Sequence, residues 1–115
     1  MKRSNTLSIS RRLVDQARRK VEDFRCLIGD MEAAVDELGQ IIDAEEGRTK
    51  VRDRAEAQYS IIAKSARERR NKLRISIDTL NKELAVAIRI HDRTLEAFDR
   101  HSGPEQAASK FDRSA

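Results

Sequence analysis

Large apolar groups are scarce in this 115-residue chain. It has no tryptophan, and its only aromatics are Phe24, Tyr59, Phe98 and Phe111. A compact globular core of this length normally uses more of them, because aromatics bury the most area per residue. Helix breakers are also few, with one proline and four glycines. That excludes a sheet-rich sandwich or barrel, which needs a turn signal every ~8–12 residues. The longest apolar run, residues 84–88, falls far short of the ~18–20 residues that span a bilayer. The first residues are polar and lead into no apolar stretch, so no secretory signal peptide is expected. The single cysteine, Cys26, cannot form an internal disulfide, which fits a reducing compartment. The chain shows no glycine-rich phosphate loop, no Ser/His/Asp set and no cluster of metal-ligand residues. No catalytic residue, cofactor or metal is expected.

Charge and helical periodicity are what the chain does have. Lysine and arginine number 24, aspartate and glutamate 20, and charged residues equal hydrophobic ones at 38%. In the first half, apolar residues recur at alternating steps of three and four: Val14, Ala17, Val21, Phe24, Ile28, Met31, Val35, Leu38 and Ile42. These are the a and d positions of a heptad repeat. Leu7 extends the stripe backwards across a polar Ser10. Such a narrow, sustained stripe keeps one helix face against a partner helix. Gly47 reads as a helix C-cap, and Asp53 followed by Glu56 reads as a capping box for the next helix. The second stripe reads Tyr59, Ala63, Ala66, Arg70, Leu73, Ile77, Leu80 and Leu84, then shifts phase to Ile88, His91, Leu95 and Phe98. Two successive steps of four there suggest a stutter that locally unwinds a supercoil. Ser102-Gly103-Pro104 reads as a helix stop.

The expected fold is therefore all-α: two long helices forming an antiparallel coiled-coil hairpin, a single domain over residues 1–101. Helix 1 is placed at about 4–46, the turn at about 47–53, helix 2 at about 54–101 and a flexible tail at 102–115. Folding near residue 50 sets Ile42 opposite Tyr59, Val35 opposite Ala66, Ile28 opposite Leu73, Val14 opposite Ile88 and Ser10 opposite His91. Charge agrees with this orientation. Residues 1–20 are net +6, 21–46 net −8, 47–74 net +7 and 75–101 net −1. The hairpin lays the acidic block beside the basic one, whereas a parallel homodimer would lay each beside itself. Each exposed pair is worth only ~0.2–1 kcal/mol, so charge here selects orientation more than it stabilises. A two-helix seam built partly of alanines is thin, and a partner is expected, either a second copy or a larger assembly.

Basic clusters are the candidate binding residues. Arg11, Arg12, Arg18 and Arg19 face few acidic groups and read as a docking patch. The 67–74 cluster reads mainly as a helix flank that pairs with the acidic block. Arg70 falls on the seam in the Met31 layer, either snorkelling along the stripe or reaching Glu32 or Asp30. Nucleic-acid binding is disfavoured: the apolar seam runs through the basic segment, no aromatics interleave with the charges, and net +4 is modest. His91 reads as a hydrogen-bonded seam histidine, and Cys26, at the outermost heptad position, as an exposed thiol.

Several runs resemble a known family. The segment 11–21, then Ile28-Gly29-Asp30-Met31-Glu32 and 38–46, resembles the first helix of short alphaproteobacterial FliJ-type flagellar export proteins. In the second helix Tyr59-Ser60 and Arg69-Arg70-Asn71-Lys72-Leu73, with Ser76 and Leu80, look similar to the same family. The resemblance covers roughly residues 4–100. It implies a non-enzymatic, cytoplasmic hairpin, peripheral to the inner membrane at the flagellar basal body. Such proteins act as an adaptor or stalk of the type III export apparatus. The implied partners are the hexameric export ATPase, the cytoplasmic domain of the export gate, and export chaperones. On that reading Arg11, Arg12, Arg18 and Arg19 dock on the ATPase ring, and Tyr59, Arg69, Arg70 and Asn71 make a mid-rod contact with the gate. The alternative is a self-associating structural coiled coil without an export role.

Overall fold

A computed structural model describes the backbone of residues 2–56 and 58–114, and the side chains of residues 8–56 and 58–100. It contains two long helices, α1 (Lys2–Thr49) and α2 (Ile61–Ser114), joined by the loop 50–60. The chain reverses in that loop and the helices pair antiparallel as a coiled-coil hairpin. Contacts divide the chain into a terminal unit (Met1–Phe24 with Glu83–Ala115) and a loop unit (Arg25–Lys82).

Both seams pack, but the second differs from the expected one. Every a and d position of α1 from Val14 to Ile42 is buried or half-buried. On α2 the covered positions are 63, 66, 67, 70, 73, 76, 77, 80, 84, 87, 88, 91, 94 and 98. Steps of three and four run through most of these positions, and where the stutter is expected both Ala87 and Ile88 are covered. Ala87 is 4% exposed, while Leu95 is 37% exposed. Ile88, expected on the seam, is half-buried beside Ala87, so of the shifted stripe Leu95 alone is exposed.

The register is also corrected. In the loop unit Leu38, Ile42 and Ala66 form one buried cluster, with Leu73 packed against it. Ile42 thus meets Ala66 and not Tyr59, a slip of one heptad from the expected pairing. Arg70 lies beside Gly39, where a methyl group would stand 3.9 Å from its Nη1, and not in the Met31 layer. The cause is the loop. Helix 1 was expected to end near residue 46, but it continues to Thr49, and α2 starts at Ile61 rather than near 54. Two heptad stripes match equally well when one slides by seven residues, so loop length decides.

Local chemistry explains the loop. Lys50, not Gly47, takes the left-handed conformation that ends α1, with φ 58°. Thr49 Oγ1 donates to the Glu45 carbonyl at 2.9 Å and accepts from Val51 N at 3.4 Å. Asp53 accepts from Ala55 N at 3.0 Å, a local turn within the loop, not a helix cap. The N-cap of α2 is Ser60, whose Oγ accepts from Ala63 N at 3.2 Å. At the other end, α2 runs through Ser102-Gly103-Pro104 to Ser114, so the expected stop does not end the helix. The Leu7 layer and the side chains of the expected tail lie outside the described residues.

Candidate functional site

Arg11, Arg12, Arg18 and Arg19 belong to the terminal unit and all are exposed on α1. Arg18 Nη2 is 3.5 Å from Asp15 Oδ1, an i,i+3 pair open to solvent on both sides. Among the described residues no ion pair engages the other three. Such a cluster keeps nearly all its charge available to an anionic partner.

The loop unit holds a second group, built around Tyr59. Its ring is buried, and its hydroxyl accepts from Arg67 Nε at 2.6 Å. Arg67 Nη2 donates to Glu46 Oε1 at 2.5 Å, and the Tyr59 hydroxyl donates to the same oxygen at 3.4 Å. The guanidinium carbon lies 6.0 Å from the ring centroid, at the outer limit of a cation–π contact. Glu46 is only 5% exposed, so its charge is compensated by Arg67 almost out of water. The Tyr59 hydroxyl, then Glu46, hold the Arg67 pKa above its ordinary value. Next to this group Ser60 Oγ donates to Glu45 Oε2 at 2.9 Å and Arg48 Nη2 donates to the same oxygen at 2.7 Å. The Arg48 bond, then the Ser60 bond, hold the Glu45 carboxyl below its usual range. These donors and acceptors are satisfied by one another, which makes the group a clasp between the end of α1 and the start of α2.

The four residues expected to form a mid-rod contact do not share a face. Tyr59 lies in the loop, under Arg67. Asn71 is exposed and lines a cavity of about 200 Å³ with Arg54, Tyr59, Lys64 and Arg67. Arg69 is exposed and lines a different groove, of about 370 Å³, with Leu38, Ile41 and Ile62. Arg70 is half-buried in the seam, and its Nε is covered with no hydrogen-bond partner. The expected pairing of the 67–74 cluster with the acidic block is found at Arg67 and Glu46, whereas the burial of Glu46 and the role of Ser60 were missed. One signal was available: a lone tyrosine beside a helix start needs a partner for its hydroxyl when buried.

His91 Nδ1 is 3.2 Å from Asp92 Oδ1, and Cys26 is exposed. Among the described residues no group of three or more His, Cys, Asp or Glu side chains is placed to hold a metal ion. No helix among the described residues is long and apolar enough to cross a membrane. The fold and these clusters define a charged helical hairpin with a polar clasp at its loop. The chain matches no protein-family model, no curated protein and no solved structure.

Proposed function

We propose that this chain is a non-enzymatic adaptor of the FliJ type, acting in flagellar type III protein export. Its partners on this reading are the hexameric export ATPase, the cytoplasmic domain of the export gate, and chaperones delivering substrates. It would work in the cytoplasm, peripheral to the inner membrane at the basal body. The observation that carries the reading is the pairing of a helical hairpin with exposed, largely unneutralised arginines at 11, 12, 18 and 19. A coiled-coil hairpin transmits position along its helices, and a basic patch seats against acidic or helix-C-terminal groups. Of the residues expected at the gate, Arg69 and Asn71 are exposed and are assigned to that contact.

The test reverses the charge of Arg11, Arg12, Arg18 and Arg19 together and titrates the variant against the purified export ATPase. Loss of binding and of ATPase stimulation is expected. Unchanged binding and stimulation would remove the docking assignment.

A further inference from the structure

The two flanks of the loop unit are chemically different. In the heptad of α1, Ile42 is an a position and Leu38 a d position; in α2, Ala63 is a and Ala66 is d. The e positions then include Glu46 and Arg67, which close one flank with their ion pair. The g positions fall on the other flank. On α1 they are Leu27, Ala34 and Ile41, and on α2 Ile62, Arg69 and Ser76. Leu27 is 44%, Ile41 42% and Ile62 55% exposed. Ile41 and Ile62 line the 370 Å³ groove together with Arg69 and Ser65. An isolated two-helix hairpin needs apolar groups at a and d alone. Apolar residues at g widen the stripe in the way that a third or fourth helix requires.

The rims of this flank carry opposite charges. Outside the g line on α1 stand the c residues Asp30 and Glu37; on α2 the g residue Arg69 is joined by the c residue Lys72. All four are exposed, and none forms an ion pair within the described residues. An occupant must therefore bring an apolar stripe with a basic edge toward α1 and an acidic edge toward α2. The same flank of a second copy has this pattern. With a two-fold axis along the helices, the partner copy's α2 lies over this α1 and its α1 over this α2. The blocks of net −8 and net +7 agree with that pairing.

We propose that the Leu27/Ile41/Ile62 flank of the loop unit binds a second copy of this chain, two-fold related, and that Glu37 faces Lys72 of the other copy. The inference is independent of the export reading, because the arginines of that reading lie in the terminal unit.

Sedimentation equilibrium of the full chain is expected to give a dimer at micromolar concentration. The double variant Ile41→Asp/Ile62→Asp is expected to weaken the dimer about a hundredfold or more, since it places charge in an apolar interface. Ile41→Ser/Ile62→Ser is the milder companion, with helicity by circular dichroism as the folding control. Glu37→Lys and Lys72→Glu should each weaken association several-fold, and the two combined in one chain should restore it, because each reversed residue meets its complement on the other copy. A folded chain that stays monomeric at high micromolar concentration would overturn the proposal. So would a dimer unaffected by the serine pair, or a charge swap that fails to restore association.

Discussion

Glu46 and Arg67 stand 21 residues apart in sequence and share a hydrogen bond of 2.5 Å across the start of the hairpin. Tyr59 caps the pair from the loop, and its hydroxyl touches both. This contact sets the register by joining the flanks of the two helices at one point along their length. Removing either charge leaves the other in a partly dry site. Glu46→Gln is expected to destabilise by about 2 kcal/mol, below the ~3–5 kcal/mol of a fully buried pair because Arg67 retains some access to water. Tyr59→Phe should cost about 1–2 kcal/mol through the lost acceptor of Arg67 Nε. Urea unfolding followed by circular dichroism measures both.

Ile42 is the largest fully buried side chain, at 1% exposure. Ile42→Ala opens a cavity beside Leu38 and Ala66 and is expected to cost about 2–4 kcal/mol. The same truncation at Ile75, which is 67% exposed, should fall within about 0.5 kcal/mol. Equal losses at the two sites would contradict a seam that buries Ile42 and leaves Ile75 in solvent.

Backbone chemistry gives opposite expectations at two positions. Gly29 sits within α1 with open space where a Cβ would go, so Gly29→Ala should stabilise by up to about 1 kcal/mol. Lys50 adopts φ 58°, a conformation that glycine reaches without a steric penalty. Lys50→Gly should stabilise by about 0.5–1 kcal/mol at the end of the same helix. Thermal unfolding of the two variants and their combination checks this, and the effects should add.

Glu45 predicts a response to acid. Its carboxyl is held below the usual range by Arg48 and then Ser60. A depressed pKa in the folded state contributes stability above the unfolded-state pKa. That contribution is lost as pH falls through the folded-state pKa. The hairpin should therefore loosen at its loop on acidification below the ordinary glutamate range. Ser60→Ala should reduce this acid dependence and also cost about 1 kcal/mol at neutral pH through the lost N-cap. Stability measured between pH 7 and pH 3 for both chains tests the sign.

The helices themselves, their apolar seams and their antiparallel orientation are legible in the chain. Steps of three and four along residues 14–42 leave one face to bury, few breakers interrupt it, and the charge blocks favour the reversed pairing. Exposure of the arginines at 11, 12, 18 and 19 is legible too, since Asp15 is the one acid among the first twenty residues. Which layer meets which was not. A heptad stripe looks the same after a shift of seven residues, so Ile42 could face Tyr59 or Ala66 on pattern alone. The tertiary structure decided for Ala66, because Lys50 turns left-handed, Ser60 caps α2 and the Glu46–Arg67 pair closes at one register only. Ala87 is buried beside the half-buried Ile88, while Leu95 is exposed although the stripe places it on the seam. Periodicity is a property of one helix and can be read along it; register and clasp are properties of two helices meeting, and they exist only once the loop has set their offset.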